Sequence, residues 1–173
     1  RKAVDILQFK EEDQFCMALL KLDIPNQETT LAGTNERLYQ AAAMSKVEIA
    51  LKNQYNCYSL IHNGNVGVLI YGLEIDKSNL ICLFEKVVDE MNNNLGLSIT
   101  VGIGEVYNNV DNAVLSYREA TEALDYMIIM GKNTVIHGRS IHKNTNMREK
   151  NAIENFENIF KNCEDDLIHA LNI

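Results

Sequence analysis

The stretch Gly102-Ile103-Gly104 ends an apolar run and precedes a helical pattern, the setting in which glycines can cradle a phosphate. Backbone N–H groups at a helix start attract anions, and glycine lets them approach closely. A dinucleotide fingerprint, however, needs GxGxxG leading straight into the helix. Here Glu105, Val106, Tyr107 and two asparagines intervene, and Glu105 would repel a phosphate. The spacing therefore favours a structural corner, where glycines let a strand pass close to a neighbouring helix. Other reactive types are scattered. Ser59 and Ser116 lack a histidine at any motif spacing, and Glu119 and Glu122 stand i, i+3, the pattern of a solvated helix face. Carboxylates doing acid–base work need environments that split their pKa values. Cys16, Cys57, Cys82 and Cys163 show no CxxC pair, and three lie in apolar segments, so buried reduced thiols are expected rather than zinc or disulfides. His62, His137, His142 and His169 show no HxxxH spacing and read as surface or cap residues.

These residues sit in a chain of 173 residues, 46% apolar, with a net charge of −8. That length suits one domain with an appended helical piece. A nucleic-acid surface needs a basic footprint, which the balance of charge and the small clusters Arg148/Lys150 and Lys132/Arg139 do not provide. No apolar run approaches the roughly 20 residues of a membrane span. The chain opens with Arg1 and carries no signal peptide, so a fragment of a longer cytoplasmic protein is expected.

The elements that must position the candidates follow from periodicity. Residues 1–14 read as the tail of a connector helix, and 15–25 as a buried central strand closed by the only proline. A helix is expected over 34–53, capped by Thr34 or Asn35, with Leu38, Ala41, Ala42, Ser45, Ile49 and Lys52 at helical spacing. Strands 57–61 and 66–72 flank His62-Asn63-Gly64-Asn65, and Asn-Gly is a strong type I′ hairpin signal. Asp76 or Ser78 caps a second helix to about Asn94, with Leu80, Leu83, Phe84, Val87, Val88 and Met91 as its stripe and Gly96 as its stop. A strand over 97–107, a helix over 110–130 with Leu115, Ala120, Ala123, Leu124 and Met127 on one side, and a short strand over 134–138 follow. Residues 139–146 read as polar linker and 148–172 as another amphipathic helix. The order from 15 to 107 predicts an α+β fold of the ferredoxin-like split βαβ kind: a four-stranded antiparallel sheet with helices on one face, plus an extra helix and short strand.

The stretch ITVGIGEVYNNVDNAVLSYREATEALDYMIIMGKNTVI resembles the C-terminal half of GGDEF-type domains, the diguanylate cyclase fold, where T-h-S-h-G precedes a helix with A…AL and then G-x-N. In this form it looks closest to the degenerate GGDEF-like middle domain of AraC-family transcriptional regulators, including YesN-type response regulators. The resemblance is strong over 99–136 and rests on topology elsewhere in 14–141. It implies a connector at 1–14, a domain over 15–141, and a helical linker at 142–173 leading to a DNA-binding domain beyond the chain.

Cyclases of this kind carry GG(D/E)EF in the hairpin and D-h-D at the end of the first strand, the acids binding Mg²⁺. The matching positions here are His62-Asn63-Gly64-Asn65-Val66 and Lys21-Leu22-Asp23, and Ile24-Pro25-Asn26 replaces the F-K that often follows. A lysine at a metal site repels the cation or replaces it as a fixed charge. The resemblance with these departures implies no enzymatic activity, no metal and no cofactor. It implies a signal relay between an upstream receiver or sensor and a helix-turn-helix domain, with DNA met only through that missing domain, a homodimer as one arrangement, and no membrane contact. Alternatively the old substrate cleft keeps a nucleotide or small ligand through Lys21, Asp23, Asn63, Gly64 and Asn65. An enzyme of another type is the third reading, since this fold alone does not decide function.

Overall fold

A computed structural model describes residues 9–24, 32–126 and 131–137, with side chains from residue 36 in the second segment. The sheet has five strands, ordered β2-β3-β1-β4-β5. They are β1 (Gln14–Asp23), β2 (Asn56–His62), β3 (Asn65–Gly72), β4 (Ser98–Ile103) and β5 (Val135–His137). The first four pair antiparallel, and β5 adds parallel to β4. The helices are α1 (Ala32–Leu51), α2 (Lys77–Leu95) and α3 (Ala113–Asp125), the last preceded by a 3₁₀ turn at Val110–Asn112.

The central strand explains the layering. Six consecutive residues of β1, Phe15 to Leu20, are buried, so both of its faces are covered. Alternation sends Cys16, Ala18 and Leu20 into a core built with α1 and α2. It sends Phe15, Met17 and Leu19 into a second core under α3. The split βαβ plan therefore holds, with its two crossover helices on one face, while the extra helix covers the other face.

Local signals set several boundaries. Asn63 (φ 49°) and Gly64 (φ 77°) make the I′ turn that the dipeptide predicts. Asp76 caps α2 by accepting from the Ser78 N–H at 2.9 Å, and Gly96 ends it at φ 61°. All six residues of the expected α2 stripe are buried.

Other expectations are corrected. The chain at Lys10–Asp13 is a turn, closed by Asp13, which accepts from the Lys10 N–H at 2.8 Å, so no helix runs to residue 14. Residues 1–8 of the expected connector, 127–130 of the third helix, and everything from 138 onward lie outside the described residues. The first helix already exists at Ala32, so Thr34 and Asn35 lie inside it and do not cap it. Its core face is Gln40, Ala43, Val47 and Leu51, while Leu38 and Ile49 point to solvent. The fourth strand leaves the sheet after Ile103, and Tyr107 returns to bridge Phe15 through a backbone pair at 2.7 and 2.9 Å. Cys16 is buried and Cys57 half-buried, but Cys82 is exposed; all three are free thiols.

The Gly-Ile-Gly stretch works as the corner that its spacing suggests. A Cβ at Gly102 would collide with the Ala120 carbonyl, and one at Gly104 with the Ser116 carbonyl and hydroxyl. The strand thus lies directly on the α3 backbone. Ser116 completes the contact by accepting from the Met17 N–H at 2.8 Å. Glu119, expected on a solvated face, is instead buried, at 4% exposure. Its carboxylate accepts from the Glu105 N–H at 2.7 Å and the Tyr107 hydroxyl at 2.8 Å, so it holds the chain where β4 departs. The tyrosine proton is held more tightly than usual, by burial first and then by this carboxylate. Glu105 in turn pairs with Lys77 at the start of α2.

Two outcomes follow. Gly104→Ala should cost at least about 2 kcal/mol, because backbone must move to admit the methyl group, and thermal melts should show a drop of several degrees. Burial pushes the Cys16 thiol up from 9.0 to about 12, with the Ser116 hydrogen bond and Lys77 opposing it. A folded-state pKa above the unfolded one leaves stability intact below the unfolded value and erodes it as pH rises. Urea midpoints should therefore fall between about pH 9 and about pH 12, and the fall should be shallower in Cys16→Ala.

Candidate functional site

The residues singled out for binding gather at one end of the sheet. β1 runs toward this end, and Leu20 pairs with Val66 just after the hairpin. Lys21 therefore lies next to Asn65 in the register, and the pairing of His62 with Asn65 closes the turn. Strand alternation puts Lys21, Asp23, His62 and Asn65 on the α3 face, whereas α1 packs on the opposite face. The five proposed residues thus share an end of the sheet but not one surface.

Two of them are held by side chains that the sequence pattern did not single out for this site. The Gly64 carbonyl accepts from Gln40 Nε2 at 3.2 Å, and Gln40 also donates to Glu36 Oε1 at 3.1 Å. A Cβ on Gly64 would stand 3.7 Å from that same carboxylate oxygen. Asp23 pairs with Lys132, in the loop before β5. The next residue in that loop, Asn133 (φ 58°), accepts from the Ile99 N–H at 3.0 Å, and Thr134 O accepts from the Val101 N–H at 2.9 Å. The Gly-Lys-Asn sequence after α3 therefore ties the ends of β1 and β4 together. Lys21 remains exposed, and Asn63 Nδ2 lies 2.9 Å from His62 Nε2.

The signals for Glu36 and Gln40 were present as an i, i+4 pair on α1. Helical spacing alone does not tell whether this pair or the Leu38 stripe faces the sheet. Lys132 stands out in the sequence only as part of a small basic cluster with Arg139.

A divalent cation of the kind this fold uses in cyclases needs converging oxygen anions. Here one carboxylate, Asp23, is neutralised by Lys132, the neighbouring position is Lys21, and the other carboxylate, Glu36, lies across the sheet. Among the described residues no group of three or more His, Cys, Asp or Glu is arranged to hold a metal. This donor set does not fit the cation. A cleft of about 580 Å³, bordered by Lys10, Asp13, Gln54, Tyr71 and Glu74, opens at the opposite end of the sheet.

Residues 1–126 match the family described as "GGDEF-like domain". The fold is similar to the active GGEEF domain of a diguanylate cyclase from Vibrio cholerae, with a TM-score of 0.52 and 13% identity over 81% of this chain and 92% of that one. The GGDEF domain of YfiN (TpbB) from Pseudomonas aeruginosa is also similar, with a TM-score of 0.49 and 13% identity over 80% of this chain and 90% of that one. No curated protein sequence matches. The expectation that this chain is not an enzyme is corrected here. It rested on missing signature acids, yet a solved domain of the same fold, 13% identical to this chain, is described as the active domain of a diguanylate cyclase. Among the described residues, no helix is long and apolar enough to cross a membrane. With 126 of its residues matched and the fold in agreement, the chain belongs to the GGDEF-like domain family.

Proposed function

We propose that this chain is a regulatory signal-relay domain of a bacterial AraC-family transcription regulator of the response-regulator type. It couples an upstream receiver or sensor to a downstream helix-turn-helix domain, in the cytoplasm. The observation that carries this reading is the state of the hairpin end. Two of its polar groups are engaged by the domain's own side chains, Gln40 on Gly64 and Lys132 on Asp23. These contacts join α1, the hairpin, β1 and the loop before β5 into one unit. Such a linked set of contacts is a physical route by which a shift at one terminus can move the other. The segment 99–136, which carries the resemblance to such regulators, supplies the buried contacts that weld α3 to the sheet.

The test uses the intact regulator and its operator DNA. Lys132→Ala combined with Gln40→Ala should reduce the signal-dependent change in DNA affinity several-fold, read by fluorescence anisotropy. Affinity without signal should stay as it was, because neither residue lies in the DNA-binding domain. Unchanged signal dependence after removal of residues 14–137 would overturn the relay. Turnover of GTP to a cyclic dinucleotide by the same protein would replace it with an enzymatic output. A nucleotide at 100 times its dissociation constant should stabilise its binder by about 2.7 kcal/mol. If such a shift in melting temperature appeared and vanished in Lys21→Ala, ligand sensing at the hairpin would take precedence.

A further inference from the structure

On the outward side of α1, Leu38, Ser45 and Ile49 are exposed, while Ala42 between them is half-buried and packs against the core. Leu38, Ala42, Ser45 and Ile49 step by four, three and four, so they form one stripe along about 16 Å of helix. Leu38 is 67% exposed and Ile49 57%. The opposite side of the same helix, with Ala43, Val47 and Leu51, is fully used in the core. A helix this long with apolar residues on two faces needs two things to pack against.

Charge identifies the second. On one flank of the stripe stand Arg37 and Glu48, both exposed, eleven residues or about three turns apart. Neither makes an ion pair among the described residues. The other flank carries Lys46, whose charge is met by Glu90 of α2 at 2.8 Å. A two-fold axis normal to α1 keeps the same flank on the same side and reverses the helix direction. It therefore sets Arg37 of each copy close to Glu48 of the other, twice. The same operation sets Leu38 against Ile49 of the second copy and Ala42 against Ser45. The large residues meet at the ends, and the small ones meet at the centre, where helix backbones approach most closely. A self-complementary pattern under a two-fold axis is the requirement of an isologous dimer.

We propose that α1 is a homodimerisation helix, packing antiparallel against α1 of a second copy through Leu38, Ala42, Ser45 and Ile49, with Arg37 and Glu48 exchanged across the interface. The proposal stands independently of the relay. It gives the exposed Leu38 and Ile49 a partner that the described fold does not supply.

Sedimentation equilibrium of the 173-residue chain tests it. The chain should form dimers. Arg37→Glu and Glu48→Arg should each raise the dimer dissociation constant at least about tenfold, because two attractive pairs become two like-charge contacts. The double variant R37E/E48R should regain the original affinity, since the pairs re-form with signs exchanged. Leu38→Glu should give a monomer with the melting temperature of the monomeric wild-type chain, its site being exposed there. Three results would overturn the proposal. One is a chain that stays monomeric at every concentration reached. The second is a dimer whose affinity none of these substitutions moves. The third is a monomer that Leu38→Glu destabilises, which would mean that the face is covered within the chain itself.

Discussion

The structure depends on the contact between the end of β4 and the backbone of α3. A sheet with helices on both faces needs its central strand buried twice, and β1 is. The α1 and α2 face is filled by ordinary side-chain packing. The α3 face is closed more tightly, because Gly102 and Gly104 let the helix lie on the strand with no Cβ between them. That approach brings Ser116 within reach of the β1 backbone and Glu119 within reach of the chain leaving β4. Both are polar groups taken out of water, and both are satisfied, so the tight contact carries little desolvation penalty. Without the glycines the two hydrogen bonds could not form, and α3 would not set the loop that carries Lys132 and Asn133.

This places the chemistry of the hairpin end downstream of the corner. Asn133 bonds the start of β4, and Lys132 reaches Asp23 at the end of β1. The exposed ion pair itself contributes little to stability, about 0–1 kcal/mol. Its importance is positional. It fixes which carboxylate is neutral in effect at the end of the central strand, and so what that end can attract. Together with the Gln40 contact on the Gly64 carbonyl, it engages polar groups at this end of the sheet within the domain itself.

Much of this was legible in the residues. Asn63-Gly64, Asp76 with Gly96, the α2 stripe and the two glycines of the corner each have one dominant physical meaning, and each behaves accordingly. The misreadings share a cause. Periodicity tells which residues align on a helix, not which side the sheet occupies. For α2 one side only is apolar, so the two questions have one answer. For α1 they do not, because Leu38 and Ile49 align on one side and Ala43, Val47 and Leu51 on the other. Spacing therefore gives no sign that Glu36 and Gln40 lie on the inward side with the hairpin. Glu119 was missed for a related reason. An i, i+3 carboxylate pair usually marks a wet face, and only the proximity of the chain after β4, a tertiary fact, turns one member into a buried acceptor.

The two-sidedness of α1 bears on how it works. An outward stripe on a helix whose inward side holds the hairpin means that the two faces of α1 are mechanically one object. Gln40 grips Gly64 on one side, and Leu38, two residues earlier, points away on the other. A rigid helix cannot rotate under one face without moving the other by the same angle. Any partner that reorients α1 must therefore strain or release the Gln40 contact, and any event that alters the hairpin must reorient the outward stripe. Reciprocity of this kind follows from linkage, not from a particular pathway. It makes α1 the element through which association and the hairpin end are coupled in this domain.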